Sequence, residues 1–195
     1  MITHRNNNKT KFYIVLPIFT IIGIGVFTVL SGFYEESWSF SWKDIRAEVK
    51  DSVVVAEKRN YLSSGYVGEA YERPNEFYTR KWITENATID ELLKLTEYPN
   101  GVVRAIAYEG LLNNRDFKRK KELILKSLKD TLYPISYASG CIIGMKRNIA
   151  EYIIKDITEL DTTLPPPPPN PNGFVRYDFE LSENDKKEIL KEYYK

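Results

Sequence analysis

The stretch from Phe12 to Phe33, FYIVLPIFTIIGIGVFTVLSGF, constrains this chain more than any other. Its only ionisable side chain is the neutral phenol of Tyr13, and roughly 20 apolar residues of helix are what a ~30 Å hydrocarbon layer requires. The expectation is a transmembrane anchor over residues 12–33, with a tail at 1–11 before it and a polar body behind it. The tail carries Arg5, Lys9 and Lys11 and no acid, whereas the far flank reads Glu35, Glu36, Lys43, Asp44 and Arg46. By the positive-inside rule the tail is cytoplasmic and the body is periplasmic or otherwise extracytoplasmic.

The alternative is a secreted protein released by cleavage before Gly32, with Val29 and Ser31 as the small residues of the cut. Against it, the apolar run exceeds the ~7–15 residues of a signal core. Aromatic residues also mark both ends, Phe12 and Tyr13 on one side and Phe33, Tyr34, Trp38, Phe40 and Trp42 on the other, as an interfacial belt would. Pro17, Gly23 and Gly25 lie within the run without a G-x-x-x-G spacing, so no specific pairing through the membrane is expected.

About 160 residues follow the run, enough for one domain with its own core. The chain has 28 Lys+Arg against 27 Asp+Glu, and the basic tail accounts for the excess, so the body has no global attraction for nucleic acid. Cys141 is the single cysteine, which excludes an intrachain disulfide and a multi-thiolate zinc site. The single histidine, His4, sits in the tail, so the body can hold no Ser-His, Cys-His or His-metal arrangement. No cofactor is expected.

Hydrophobic periodicity predicts a mainly α body. Ile45, Val49, Val53 and Ala56 recur at helical spacing, giving a helix over 42–59 capped by Ser41 with Asp44. Residues 60–75 carry glycines, serines and a proline without a period and read as a loop, after which Asn75 caps a short helix to Thr84. Thr88 and Glu91 form a capping box for the next helix, and Pro99, Asn100 and Gly101 make a turn into another. Asp116 caps a third helix to about 130, residues 133–147 are irregular, and 148–160 are helical again. Leu164 to Gly173, LPPPPPNPNG, reads as a polyproline II rod. Val175, Tyr177, Phe179 and Leu181 alternate with polar residues as an extended segment, and Ser182 with Asp185 starts a last helix.

LLKLTEYPNGVVRAIAYEGLL resembles a HEAT-type helical repeat: an apolar first helix, a turn with Pro99, then V-R-x-x-A-x-x-x-L carried by Val103, Arg104, Ala107 and Leu111. The resemblance covers about Thr88 to Asn114, one unit. It implies short stacked antiparallel helix pairs, because one repeat cannot bury its own faces. It also implies that Arg104 pairs with a turn acid; Asn100 stands near that place, so a neutral hydrogen bond is expected instead. The organisation is then a helical repeat-like domain over 34–160, a Pro-rich extended segment over 161–181 and a C-terminal helix over 182–195.

Arg115, Lys118, Arg119, Lys120 and Lys121 form a basic cluster at a helix start, with two readings: contact with anionic lipid headgroups, or a solvated face balanced by Asp116 and Glu122. Tyr61, Tyr66, Tyr71, Tyr78 and Trp82 surround the long loop, either as core and interface anchors or as a platform for sugar rings. These features point to a membrane-anchored interaction protein of the cell envelope, held by 12–33 and serving an unidentified protein partner. The alternative is an envelope enzyme using paired carboxylates on a glycan or similar substrate, with Glu69, Glu72 and Glu76 as its acids.

Overall fold

The computed structural model describes residues 8–32, 39–67, 73–140, 142–161 and 179–195. The chain forms two units, 1–39 and 40–195.

The first unit holds helix α1, Asn8–Gly32, of 25 residues, which at 1.5 Å per residue is ~37 Å long. Its apolar side chains from Val15 to Leu30 are 45–73% exposed. The hydroxyls of Thr20 and Thr28 donate to the carbonyls of Leu16 (2.6 Å) and Ile24 (2.8 Å), so neither needs a partner outside the helix. Among the described residues no helix is long and apolar enough to cross a membrane, and in α1 the side chains are described only from 15 to 31.

The second unit is mainly helical. Its helices are α2 (Ala47–Arg59), α3 (Asn75–Asn86), α4 (Ile89–Leu95), α5 (Gly101–Asn113), α6 (Lys120–Ser127), α7 (Ile149–Glu151), which continues as a π-helix over Tyr152–Ile157, and α8 (Glu183–Tyr193). The hub is α5, buried over most of its circumference from Val102 to Leu112. It packs against α2, α3, α4, α6, α7, the π-helix and the sheet. A helix apolar nearly all round must be enclosed.

Three strands correct the expectation of loops at 60–75 and 133–147. Strand β1 (Leu62–Val67) runs parallel to β2 (Ile135–Gly140), with Leu62 opposite Tyr137, and β2 turns back antiparallel onto β3 (Ile142–Arg147). The physical reason is distance along the chain. The sequence LSSGYV has no strong alternation, and its partner lies beyond four helices, so no local pattern announces the pairing.

Several helix starts also differ from expectation. Helix α2 begins at Ala47, not 42, and Ser41 does not cap it; Phe40 and Trp42 instead lie edge-on and tilted against Tyr98, with centroids at 4.7 and 5.5 Å. These two aromatics belong to the body's core, not to an interfacial belt, while Phe33, Tyr34 and Trp38 lie outside the described residues. Pro74, not Asn75, precedes α3 as its cap, because a proline's fixed φ and missing N–H suit a helix entrance. The third helix starts at Lys120, and Asp116 sits in a preceding turn where its N–H donates to Asn114 Oδ1 at 2.8 Å. The capping boxes Thr88/Glu91 and Ser182/Asp185 form as the sequence predicts.

Glu91 is buried and has a second task. Arg46 donates to it from its own N–H (2.9 Å), Nε (3.0 Å) and Nη2 (2.8 Å), fastening the entrance of α2 to the start of α4. These hydrogen bonds hold the Glu91 carboxyl down at about 2, from an ordinary 4.5. A carboxylate that binds protons more weakly when folded contributes stability that is complete above its unfolded pKa and lost as the pH falls through its folded one. Replacing Glu91→Gln is therefore expected to lower stability by about 2 kcal/mol at neutral pH. It should also flatten the loss of stability between about pH 4.5 and 2, read from urea unfolding at stepped pH.

Gly101 opens α5 beneath the backbone of 133–134: a Cβ there would lie 2.7 Å from the Tyr133 carbonyl oxygen and 2.8 Å from that of Pro134. Gly101→Ala is expected to cost about 2 kcal/mol by overpacking. Gly110→Ala should cost less, since its nearest neighbours are the movable methyls of Leu92. Paired chemical denaturation curves would show the difference.

Candidate functional site

Among the described residues, the most deeply buried ionic cluster is centred on Arg80 of α3. The guanidinium is 5% exposed and lies 3.4 Å from Glu76 Oε1 and 3.8 Å from Glu109 Oε2. It donates to the Tyr152 hydroxyl at 3.1 Å, and that hydroxyl donates to Glu109 Oε2 at 2.8 Å. Ser63 of β1 donates to Glu76 Oε2 at 2.7 Å. Strand β1, helices α3 and α5, and the π-helix thus meet at one charge.

Burial alone would drive the Arg80 proton off, but facing Tyr152, Glu109 and Glu76 outweighs it and the pKa is raised. Burial pushes the Glu76 carboxyl upward, opposed by Arg80 and Ser63, and drives the Tyr152 phenol well up. A second polar group adjoins the first: Tyr137 packs edge-on against Tyr152 at 5.9 Å, and burial together with the nearby Asp156 carboxylate drives its phenol well up. Arg147 lies 3.0 Å from Asp156 Oδ2 and stacks over the Tyr137 ring at 4.8 Å.

Chemically this cluster is a joint. Hydrolysis by paired carboxylates needs both acids to meet substrate and water, whereas Glu76 is 3% exposed and shares a guanidinium with Glu109. Glu69 and Glu72 lie outside the described residues. Among the described residues no group of histidines, cysteines or acids is placed to hold a metal ion.

The repeat-like hairpin is built differently from expectation. Asn100 accepts from the N–H groups of Val102 and Val103 as the cap of α5, and its amide reaches Asn60 Oδ1 at 3.2 Å. Pro99 sits in the turn before it. Arg104 does find an acid, Asp130 beyond α6, at 2.9 Å, while its guanidinium lies over the Tyr133 ring at 4.6 Å. The expected neutral substitute for an ion pair is thus replaced by a real one from outside the hairpin.

The basic cluster faces the C-terminal segment. Lys121 bridges Asp185 and Glu188 of α8, both at 2.8 Å, and Lys118 lies 3.7 Å from Glu180. Lys120 is buried, 6.0 Å from the Phe179 ring, Arg119 pairs with Glu122 at 3.9 Å, and Arg115 is exposed. Hydrogen bonds from Lys121 and Ser182 hold the Asp185 carboxyl at about 2.

An open surface is shared by α2 and α3. Asp51, Ser52 and Val55 of α2 and Tyr78, Thr79 and Trp82 of α3 line a shallow depression of about 380 Å³. Beside it Val54 is 44% exposed, Val55 41%, Tyr78 57% and Trp82 37%. Helix spacing marks Tyr78 and Trp82 as neighbours, and the spacing of Val49, Val53 and Ala56 marks the side of α2 that the structure buries, leaving Val54 and Val55 outward. No family model, curated protein or solved structure matches the chain.

Removing Arg80 strands two buried carboxylates, so Arg80→Met is expected to destabilise the body by about 3–5 kcal/mol. Tyr152→Phe, which keeps the ring and loses the bridging hydroxyl, should cost about 1–2 kcal/mol. Thermal and urea unfolding of the two variants would test this order.

Proposed function

We propose that the chain is a membrane-anchored helical interaction protein of a cell envelope, with its tail cytoplasmic and its body on the other side of the bilayer. The observation that carries the reading is the exposed face formed by Val54, Val55, Tyr78 and Trp82. Clustered apolar side chains on an otherwise polar body are characteristic of protein–protein contact. The anchor is supported by the uncharged apolar run of the sequence at 12–33, about as many residues as a ~30 Å hydrocarbon core requires, and by hydroxyls of α1 that bond back to their own helix. It is supported further by the basic tail.

A HEAT-like stack belongs to the same proposal. Helices α2 with α3 and α4 with α5 pack as sequential neighbours, and α3 packs on α5. Strand β1 interrupts the first pair and Arg104 takes an acid from outside its hairpin, both departures from the repeat pattern. Anionic lipid contact through Arg115–Lys121 has little support, since Lys118, Arg119 and Lys121 already face acids of this chain. A carboxylate enzyme has less support, since the depression on the α2–α3 face is lined by a single acid, Asp51.

The full chain with a C-terminal tag is expected to resist alkaline extraction from membranes, and its body should be digested only by protease added outside the cytoplasm. Deleting residues 1–33 should release a folded body. A body digested only from the cytosolic side, or a mature soluble chain beginning near Gly32, would overturn the reading.

A further inference from the structure

We propose that α2 is the seam of an isologous homodimer, in which the exposed faces of two copies meet with their α2 helices antiparallel. The proposal rests on the reading of this face as a docking surface and names its occupant as a second copy of the chain.

The argument begins with spacing. Asp51, Val54, Val55 and Lys58 stand at i, i+3, i+4 and i+7, which is one stripe of a helix. All four are exposed, while Val49, Val53 and Ala56 turn into the core. The stripe therefore has two apolar residues at its centre, an acid at one end and a base at the other.

A two-fold axis between Val54 and Val55 maps that pattern onto its own complement. Each Asp51 meets the partner's Lys58, and each Val54 meets the partner's Val55. Isologous contacts require this self-complementarity. A parallel pairing would set Asp51 against Asp51 and Lys58 against Lys58, so the charges select the antiparallel arrangement. Neither Asp51 nor Lys58 joins an ion pair within the body among the described residues, which leaves both available. On α3, Tyr78 and Trp82 border the stripe and widen the apolar contact, and Lys81 with Glu85 supplies both signs of charge beside them.

The patch is small beside the roughly 800 Å² per partner of a strong soluble complex. The dimer is accordingly weak in free solution and depends on the high local concentration that a shared bilayer supplies.

The test uses the full chain, labelled at its C-terminus with donor or acceptor dyes and reconstituted in liposomes, with association read by energy transfer at stepped surface densities. The variants are Asp51→Lys, Lys58→Asp and the double exchange. Each single variant turns two attractive pairs into two repulsive ones, and association is expected to fall by about tenfold. The double variant restores opposite charges across the axis and should recover wild-type association. Absence of wild-type energy transfer overturns the proposal. So does association that the single variants leave unchanged, or a loss that the double variant fails to repair. Liposome flotation is scored separately: a chain that does not float brings down the anchor, and the same variants are then compared by sedimentation in solution at high concentration.

Discussion

A guanidinium buried among carboxylates is the constraint on which the body depends. Taking an ion out of water costs several kcal/mol even after relaxation, so Arg80 is tolerable only with Glu76, Glu109 and Tyr152 in place. Those partners come from α3 itself, α5 and the π-helix, and Ser63 of β1 donates to Glu76 Oε2. No one of these elements satisfies its polar group alone. The sheet, the central helix and the π-helix therefore stand or fall together, which ties a small, irregular sheet to a helical core that local propensity would not have supplied.

The same logic closes the far end of the body. Lys121 stands between Asp185 and Glu188, Lys120 lies near the Phe179 ring, and Ile189 is fully buried. Basic residues crowded into one stretch of sequence would make a strongly positive patch if left open. Here acids from the C-terminal helix neutralise much of it, so local charge density in the sequence overstates the surface potential. The α2–α3 face, by contrast, leaves Val54, Val55, Tyr78 and Trp82 exposed.

How much was legible depended on how far apart the interacting residues lie. Thr88 with Glu91 and Ser182 with Asp185 are three residues apart, and both capping boxes formed where the pattern placed them. Asn148 with Glu151 makes the same motif at the same spacing. Strand β1 was not readable, because its pairing with β2 is parallel and long-range, and a parallel pair needs a crossover that carries no turn signal. The acid for Arg104 was sought in the adjoining turn, where a repeat would keep it, and came from Asp130. Of the exposed face, the aromatic pair Tyr78 and Trp82 was visible as a cluster, and the spacing of Val49, Val53 and Ala56 marked the buried side of α2; that Val55 adjoins Tyr78 and Trp82 was not legible, since the two helices are separated by β1.

Taken by itself, the sequence determined the uncharged run at 12–33, the mainly helical character of the body and the starts of α4, α5 and α8. Each of these follows from periodicity or capping within a few residues. Only the tertiary structure decided which charge answers which, where the three strands join, and which exposed residues of α2 and α3 adjoin. Those outcomes depend on complementarity between segments tens of residues apart, and a one-dimensional pattern specifies what a residue needs without specifying who will provide it.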